Sequence, residues 1–419
     1  MKASDVFTPG RHPTLTFVDE HLRDHQQRLS DTLDAGSMLV SISGPSKSGK
    51  TVFVEQCLGI GNLIQVTGAG VQSPDQLWQR VFEIIGTPLE TQETTTHTTG
   101  SDTGISGKVE GNAIIAKGEA GASQTWARGT SKSRVESRRH DALQLLLKEL
   151  PNTELTVFID DFHYIPRDVQ TVLAQQIKEA TRADIRIVCA SVPYHADDVI
   201  RSNPDLRGRV LSIDLDFWSG NILRKIAEKG FPELNIEASD QAIEMFATEA
   251  AGSPQLMQYL CLNSCYELNV REKASNTVSL PKEDDLLSSI CRRTVQSTDY
   301  GSVVEKMKEG PKTRGSDRKL HNTQFGWQGD VYRLLTKALS LDPPQLTFRY
   351  PSLTSRIEQT CASSIPSGSS ITSACYHTAN IINDTVGHRV VEWDGENDVF
   401  DVRDPYLVFF LRWSELTDG

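Results

Sequence analysis

Short apolar runs alternate with helical patterns through the first half of the chain. Met38-Leu39-Val40-Ser41-Ile42-Ser43 and residues 63–66, 155–159 and 185–190 are apolar enough to be strands, the last two buried on both faces. Between them, apolar positions return at helical spacing over 52–58, 73–85, 140–150 and 167–180. Ser73, Pro74 and Asp75 supply an N-cap, a first-turn proline and an early acid for the second of these helices, and Pro151 closes the third. Strands separated by crossover helices predict an α/β fold around a parallel sheet.

The pattern then changes. After Phe217-Trp218 it is helical to about residue 295, and a polar, basic stretch from Lys306 to Arg318 reads as exposed linker. The last segment predicts helices over 330–340, 352–361 and 369–382, followed by strands over 386–393 and 399–402 around Gly395. Helix, helix, helix, hairpin is the order of a winged helix. The expected division is a P-loop core over 1–216, a helical lid over 217–295, a linker over 296–325 and a winged-helix domain over 326–419. Residues 88–135 break the alternation, being rich first in Thr and then in Gly, Ala and Lys. They read as a flexible insertion or hairpin projecting from the sheet, either a plain disordered loop or an element that touches a partner or substrate.

Composition narrows the class. A chain of 419 residues has room for about two or three domains. Hydrophobic content of 38 % and charged content of 23 % describe an ordinary soluble protein. A net charge of −12 opposes a broad, sequence-independent nucleic-acid surface. Seven cysteines scattered through apolar runs suit reduced thiols, and Cys261 and Cys265 have no nearby partner pair for zinc. The N-terminus lacks the apolar core of a signal peptide, and no run approaches the ~20 apolar residues of a membrane span. A cytoplasmic location with no membrane contact is the expectation.

One stretch turns the fold into chemistry. Gly44-Pro45-Ser46-Lys47-Ser48-Gly49-Lys50-Thr51 follows the first strand, precedes a helix beginning at Val52, and fits G-x-x-x-x-G-K-[ST]. Glycine lets backbone N–H groups close around an anion, and the helix N-terminus faces it. Lys50 is expected to reach the β- and γ-phosphates and the Thr51 hydroxyl to ligate Mg²⁺. The second element is the strand 155–159 ending in Asp160-Asp161, expected to lie beside the P-loop strand. Asp160 would hold Mg²⁺ through water, because a hard cation takes oxygen ligands. Asp161 would orient or deprotonate the attacking water. Together they predict a site for ATP and Mg²⁺ in which residues 44–52 all take part. His163 and Tyr164 either approach the nucleotide or cap the turn after the acids.

With these segments the chain resembles the AAA+/STAND group of P-loop ATPases, particularly bacterial members related to the origin-recognition ATPases. Arg11-His12-Pro13-Thr14-Leu15-Thr16-Phe17-Val18 resembles the family's N-terminal segment near adenine, which implies that Pro13 and Phe17 meet the base. Gly252-Ser253-Pro254-Gln255-Leu256 resembles the Gly-x-Pro motif of the lid, with Pro254 near the base. Asp160-Asp161 matches the paired acids usual in STAND proteins, and Asp404-Pro405-Tyr406 and Leu411-Arg412-Trp413 resemble the close of the winged-helix domain. The resemblance implies further roles. Ser191 falls at the sensor-1 position, or is a plain strand-ending serine. Arg207 and Arg209 fall where many AAA+ proteins offer an arginine to a neighbouring subunit's γ-phosphate, or are solvated or salt-bridged arginines. Gln255 stands where a sensor-2 arginine is common, which implies slow turnover or a nucleotide switch.

A winged helix invites a DNA-binding reading through its third helix. Here there is no Lys or Arg between Arg356 and Arg389, and the wing carries Glu392, Asp394, Glu396, Asp398 and Asp401. From residue 321 onward, seven Lys and Arg face twelve Asp and Glu, so phosphates would be repelled. The expected function is therefore an ATP-binding, slowly hydrolysing regulatory ATPase whose nucleotide state controls homo-oligomerisation and a separate effector protein. The resemblance extends this to bacterial antiphage defence. The alternative is a DNA-binding AAA+ ATPase of replication-initiator or transposition type.

Overall fold

A computed structural model describes residues 1–86, 90–97, 132–139, 141–192, 208–312, 317–387 and 389–417. Its centre is a five-stranded sheet of β1 (Leu39–Ser43), β2 (Leu63–Thr67), β5 (Thr156–Asp160), β6 (Arg186–Ser191) and β7 (Val210–Asp214). All are parallel, in the order β2-β5-β6-β1-β7. Successive side chains point to opposite faces. Ile187 and Cys189 of β6 pack on one face with α4 (Pro74–Ile85), α5 (Ala142–Glu149) and α6 (Arg167–Arg182). Val188 and Ala190 pack on the other with α2 (Arg23–Ala35) and α3 (Lys50–Leu58). Burial on both faces is why the strands read as continuous apolar runs.

The four strands expected from the sequence are present, and β7 adds an edge strand whose half-exposed residues gave no run to find. The start of α4 is the expected one, with Ser73 Oγ accepting from the Gln76 amide at 3.4 Å and Pro74 in the first turn. One expectation is corrected: β5 does not lie beside β1, because β6 is inserted between them and pairs with both. The insertion leaves the sheet as an antiparallel ladder of β3 (Glu90–His97) and β4 (Lys132–Arg139), with Glu90 opposite Arg139. Residues 98–131, on which the flexible reading of 88–135 mainly falls, lie outside the described residues.

The lid comprises α7 (Gly220–Glu233), β8 (Ile236–Ala238), α8 (Asp240–Glu249), α9 (Pro254–Glu267), β9 (Val278–Leu280) and α10 (Asp284–Val295). The chain start joins it. Around α1 (Ala3–Val6), the Ala3 amide donates to the Arg271 carbonyl at 2.9 Å and the Phe7 ring lies 5.2 Å from Phe231. These residues therefore pack with the lid and not with the core expected over 1–216.

The expected linker contains a helix, α11 (Gly301–Glu309), whose Val303, Val304 and Met307 are buried among surface charges that masked them in the sequence. Beyond a small hairpin of β10 (His321–Asn322) and β11 (Gln328–Gly329) come α12 (Val331–Leu339), β12 (Thr347–Arg349), α13 (Tyr350–Thr360), α14 (Gly368–Val386), β13 (Val391–Asp394) and β14 (Val399–Val402). The strands form a sheet in the order β12-β14-β13, the arrangement of a winged helix with β12 as an additional strand. The third helix runs four residues past its expected end, to Val386, and stops where Gly387 turns left-handed at φ +81°. A last helix, α15 (Pro405–Trp413), is apolar on nearly every side and buried.

One continuous hydrophobic core runs from Ala3 through the lid to Leu411, separate from the two clusters that face the sheet. Glu249 of α8 and Arg412 of α15, both nearly inaccessible, join across it at 2.7 and 2.9 Å. Lid and winged helix are thus a single packed body set against the sheet. Among the described residues, no helix is long and apolar enough to cross a membrane.

Candidate nucleotide-binding site

The site lies where these two bodies meet. A cavity of about 450 Å³ opens at the C-terminal ends of β1 and β5, within the usual range for small-molecule sites. Its first wall is the loop 44–51, which Lys47 (φ +61°) and Gly49 (φ +94°) bend through left-handed geometry. Alternating handedness turns successive N–H groups inward, making an anion nest at the N-terminus of α3. A Cβ at Gly44 would meet the Leu215 carbonyl at 2.8 Å, so the chain passes there only as glycine.

Lys50 Nζ donates to the carbonyls of Gly44 (2.9 Å) and Pro45 (2.8 Å), which aims its ammonium along the inside of the loop. Burial holds this ammonium below the usual lysine range, and Asp160 and Asp161 oppose the shift. The Thr51 hydroxyl donates to Asp160 Oδ2 at 2.7 Å, so β5 delivers its acid to the P-loop despite the strand between them. Asp160 Oδ1 accepts the Asp161 amide at 2.9 Å, and Asp161 itself is left-handed at φ +55°. The turn that follows places His163 and Tyr164 on the cavity wall.

The opposite wall comes from the lid body. Pro13, Phe17, Ile226 and Pro254 form its apolar end. His12 stacks on Phe17 at 5.9 Å and its Nδ1 lies 3.1 Å from Glu55 of α3. Trp218 Nε1 donates to the Ser48 carbonyl at 3.2 Å, tying the lid entrance to the P-loop. The winged helix adds Arg389, Val390, Arg403 and Asp404 to the wall. Asp404 Oδ2 accepts from Lys47 at 3.1 Å and from the Tyr300 hydroxyl at 2.6 Å. Arg403 lies 2.6 Å from Asp401, and burial pushes its guanidinium down to about 10.

Most of the expected residues converge here. Pro45, Ser46, Lys47, Gly49, Lys50, Thr51, Val52, Pro13, Phe17, Pro254, Asp160 and Asp161 line the cavity, while Gly44 and Ser48 lie buried just behind it. Ser191 is buried at the end of β6, where its carbonyl takes the Gly44 amide at 3.3 Å, and it is Val192 that lines the cavity. Arg209 is exposed at the opposite end of the sheet, its carbonyl accepting from the first residue of β1, so it does not serve this cavity from within the chain. Arg207 lies outside the described residues. Gln255 lines the cavity with its amide committed to the Pro9 carbonyl at 2.7 Å. Sequence reasoning missed Trp218, Arg389, Arg403 and the Lys47–Asp404 pair, whose partners are 357 residues apart with no local pattern to join them.

This donor set suits a nucleoside triphosphate: an apolar slot, a nest of amides, a buried ammonium and two carboxylates at the far end. Among the described residues, no group of three or more His, Cys, Asp and Glu side chains could hold a metal by itself.

Against solved structures, the chain is similar to the ORC2 protein of Aeropyrum pernix in its ADPNP–ADP complexes, with 12 % identity and a TM-score of 0.50 over 98 % of this chain and 97 % of that one. It is also similar to a Walker-type ATPase of Pyrococcus abyssi (12 %, TM-score 0.46, 94 % and 95 %). A third similar structure is Cdc6p from Pyrobaculum aerophilum (13 %, TM-score 0.42, 99 % and 97 %). No protein-family model and no curated protein matches the chain. Its structural neighbours are Cdc6/ORC-like AAA+ P-loop ATPases, and it shares the α/β fold of the ORC2 protein over nearly its whole length.

Proposed function

We propose that the chain is an ATP-binding, slowly hydrolysing switch in which the nucleotide sets the position of the joined lid and winged helix against the P-loop core. The observation that carries this reading is the Lys47–Asp404 pair, by which the phosphate loop itself holds the winged helix. Pro13, Phe17, Pro254 and Ile226 would grip the base, and the amides of 45–50 with Lys50 would bind the phosphates. Thr51 and Asp160 would hold Mg²⁺, which when bound neutralises charge on the β- and γ-oxygens. Asp161 would orient the attacking water and draw off its proton. Arg209 would reach a terminal phosphate only in a neighbouring copy, which ties turnover to a homo-oligomer, and Arg207 is the other candidate for that role. Ser191 would act through the P-loop backbone, its carbonyl holding the Gly44 amide.

The output of such a switch is a separate effector protein, and antiphage defence is the setting that the sequence resemblance favours. The acidic wing around Glu392 and Asp401 supports a protein partner over DNA, because like charge repels phosphate. Size-exclusion chromatography with light scattering, run without nucleotide, with ADP and with a non-hydrolysable ATP analogue, tests the switch. A change in mass or hydrodynamic radius specific to the triphosphate is expected. Identical profiles in all three states would sink the reading, and tight duplex binding that weakens steeply with salt would favour the replication-initiator alternative.

A further inference from the structure

A triphosphate differs from a diphosphate by added negative charge, so a site that distinguishes them needs a cation at its far end. The lid provides none: its residues on the cavity wall are Trp218, Ile226, Pro254, Gln255 and Gln258. The other cavity cations have evident tasks. Lys50 already serves the phosphates from inside the loop under the reading above, Lys47 faces Asp404, Arg403 faces Asp401, and Arg11 donates to the Ser4 carbonyl at 2.9 Å.

Arg389 is placed differently. It lines the cavity while remaining exposed, on the segment between α14 and β13, with Glu392 of β13 as a neighbouring carboxylate within its field. The backbone just after it is pinned: Asn383 Oδ1 accepts the Val390 and Val391 amides at 2.7 and 3.1 Å, and Asn383 Nδ2 donates to the Val391 carbonyl at 2.7 Å. The Arg403 amide donates to the Val390 carbonyl at 2.7 Å, which sets Arg389 next to the strand end that carries Asp404. Since Asp404 touches Lys47, the segment that carries Arg389 lies on the P-loop side of the cavity.

We propose that Arg389, from the winged-helix domain of the same chain, contacts the terminal phosphate of the bound triphosphate and so reports its presence to the lid body. The idea rests on the nucleotide-binding reading above and adds a residue to it. A guanidinium presents a planar fork that matches phosphate oxygens, and a long side chain from a pinned backbone can reach them without moving the fold.

The test is calorimetric titration of the full chain with ADP and with a non-hydrolysable ATP analogue, both with Mg²⁺, for wild type, Arg389→Ala and Arg389→Lys. Arg389→Ala is expected to lose about ten- to a hundred-fold in triphosphate affinity, the loss of one or two charged hydrogen bonds, while ADP affinity stays within about two-fold. Arg389→Lys is expected to recover part of the loss. Equal weakening of both nucleotides, or no change in either, overturns the role of Arg389 and leaves nucleotide binding itself intact. A wild-type chain that binds neither nucleotide overturns the function reading and this inference with it.

Discussion

Lys47 Nζ lies 3.1 Å from Asp404 Oδ2 and 3.9 Å from the centre of the Tyr406 ring, so one residue of the P-loop is held by two of the winged helix. Asp404 is nearly buried, accepts from the Tyr406 amide as the cap of α15, and takes the Tyr300 hydroxyl as well. Its carboxylate keeps those partners whatever Lys47 does. Lys47→Gln should therefore cost only about 1 kcal/mol or less of global stability, since the lysine is one-third exposed, yet open the seam between the two bodies. Limited proteolysis without nucleotide is the readout. Faster cleavage at an unchanged melting temperature is expected, and an unchanged cleavage rate would show that the pair does not hold the seam.

Asp161 should be tested as Asp161→Asn. Its φ of +55° is tolerated by Asp and Asn, whereas alanine there adds backbone strain of about 1–2 kcal/mol that would confuse lost chemistry with lost structure. Removing a proton acceptor is expected to slow phosphate release by about 10²-fold or more, with nucleotide affinity within a few-fold of wild type. Lys50→Ala should instead abolish binding, because the nest then loses its buried charge. Phosphate release by Asp161→Asn at the wild-type rate would remove this residue from the hydrolytic step.

What the sequence made legible follows from range. The P-loop, the acids ending β5 and the cap of α4 are written in consecutive residues, and each was readable at its position. Apolar strands 155–159 and 185–190 were readable because both faces are buried, while β7 at the sheet edge and three-residue β12 were not. The β6 insertion between β1 and β5 is a property of pairing, which no single strand encodes. Packing of residues 1–18 on the lid, and of Asp404 against Lys47 of the P-loop, depends on surfaces brought together only after each body has folded. Helix α11 was hidden by Glu305, Lys306 and Lys308, which surround its buried stripe.

Glu249 and Arg412 bear on what can move. Their carboxylate and guanidinium meet in a site where both are almost fully buried, and Trp413 Nε1 adds a third contact to Glu249 at 2.8 Å. Glu249→Ala leaves the buried Arg412 guanidinium with exposed Asp342 and the Ser340 carbonyl as its remaining partners, so the expected cost is about 3 kcal/mol, the lower end for breaking a buried pair. Because lid and winged helix share one core, they should unfold together in urea as a single transition. Two separate lid and winged-helix transitions in wild type would contradict the shared body and return the winged helix to the role of an independent arm.

His21 links pH to the same seam. Its ring lies 4.4 Å from Trp218, and neither ring nitrogen, both buried, has a hydrogen-bond partner among the described residues. Burial pushes the imidazole down; Asp19 and Glu20 pull it up, while His25 and Lys225 add to the depression. The folded protein thus keeps His21 neutral where the unfolded chain, titrating near ~6.5, begins to bind a proton. The sign follows: this contribution to stability is fully present above about pH 6.5 and is lost as pH falls through the depressed folded value. Trp218 also donates to the Ser48 carbonyl, so charging the ring against it should loosen the P-loop as well as the fold. Melting temperature and ADP affinity measured between about pH 7.5 and 5.5 should both fall on the acid side in wild type. In His21→Leu both slopes should be shallower, because the site then has nothing to protonate. Parallel slopes in the two proteins would assign the acid sensitivity to other groups.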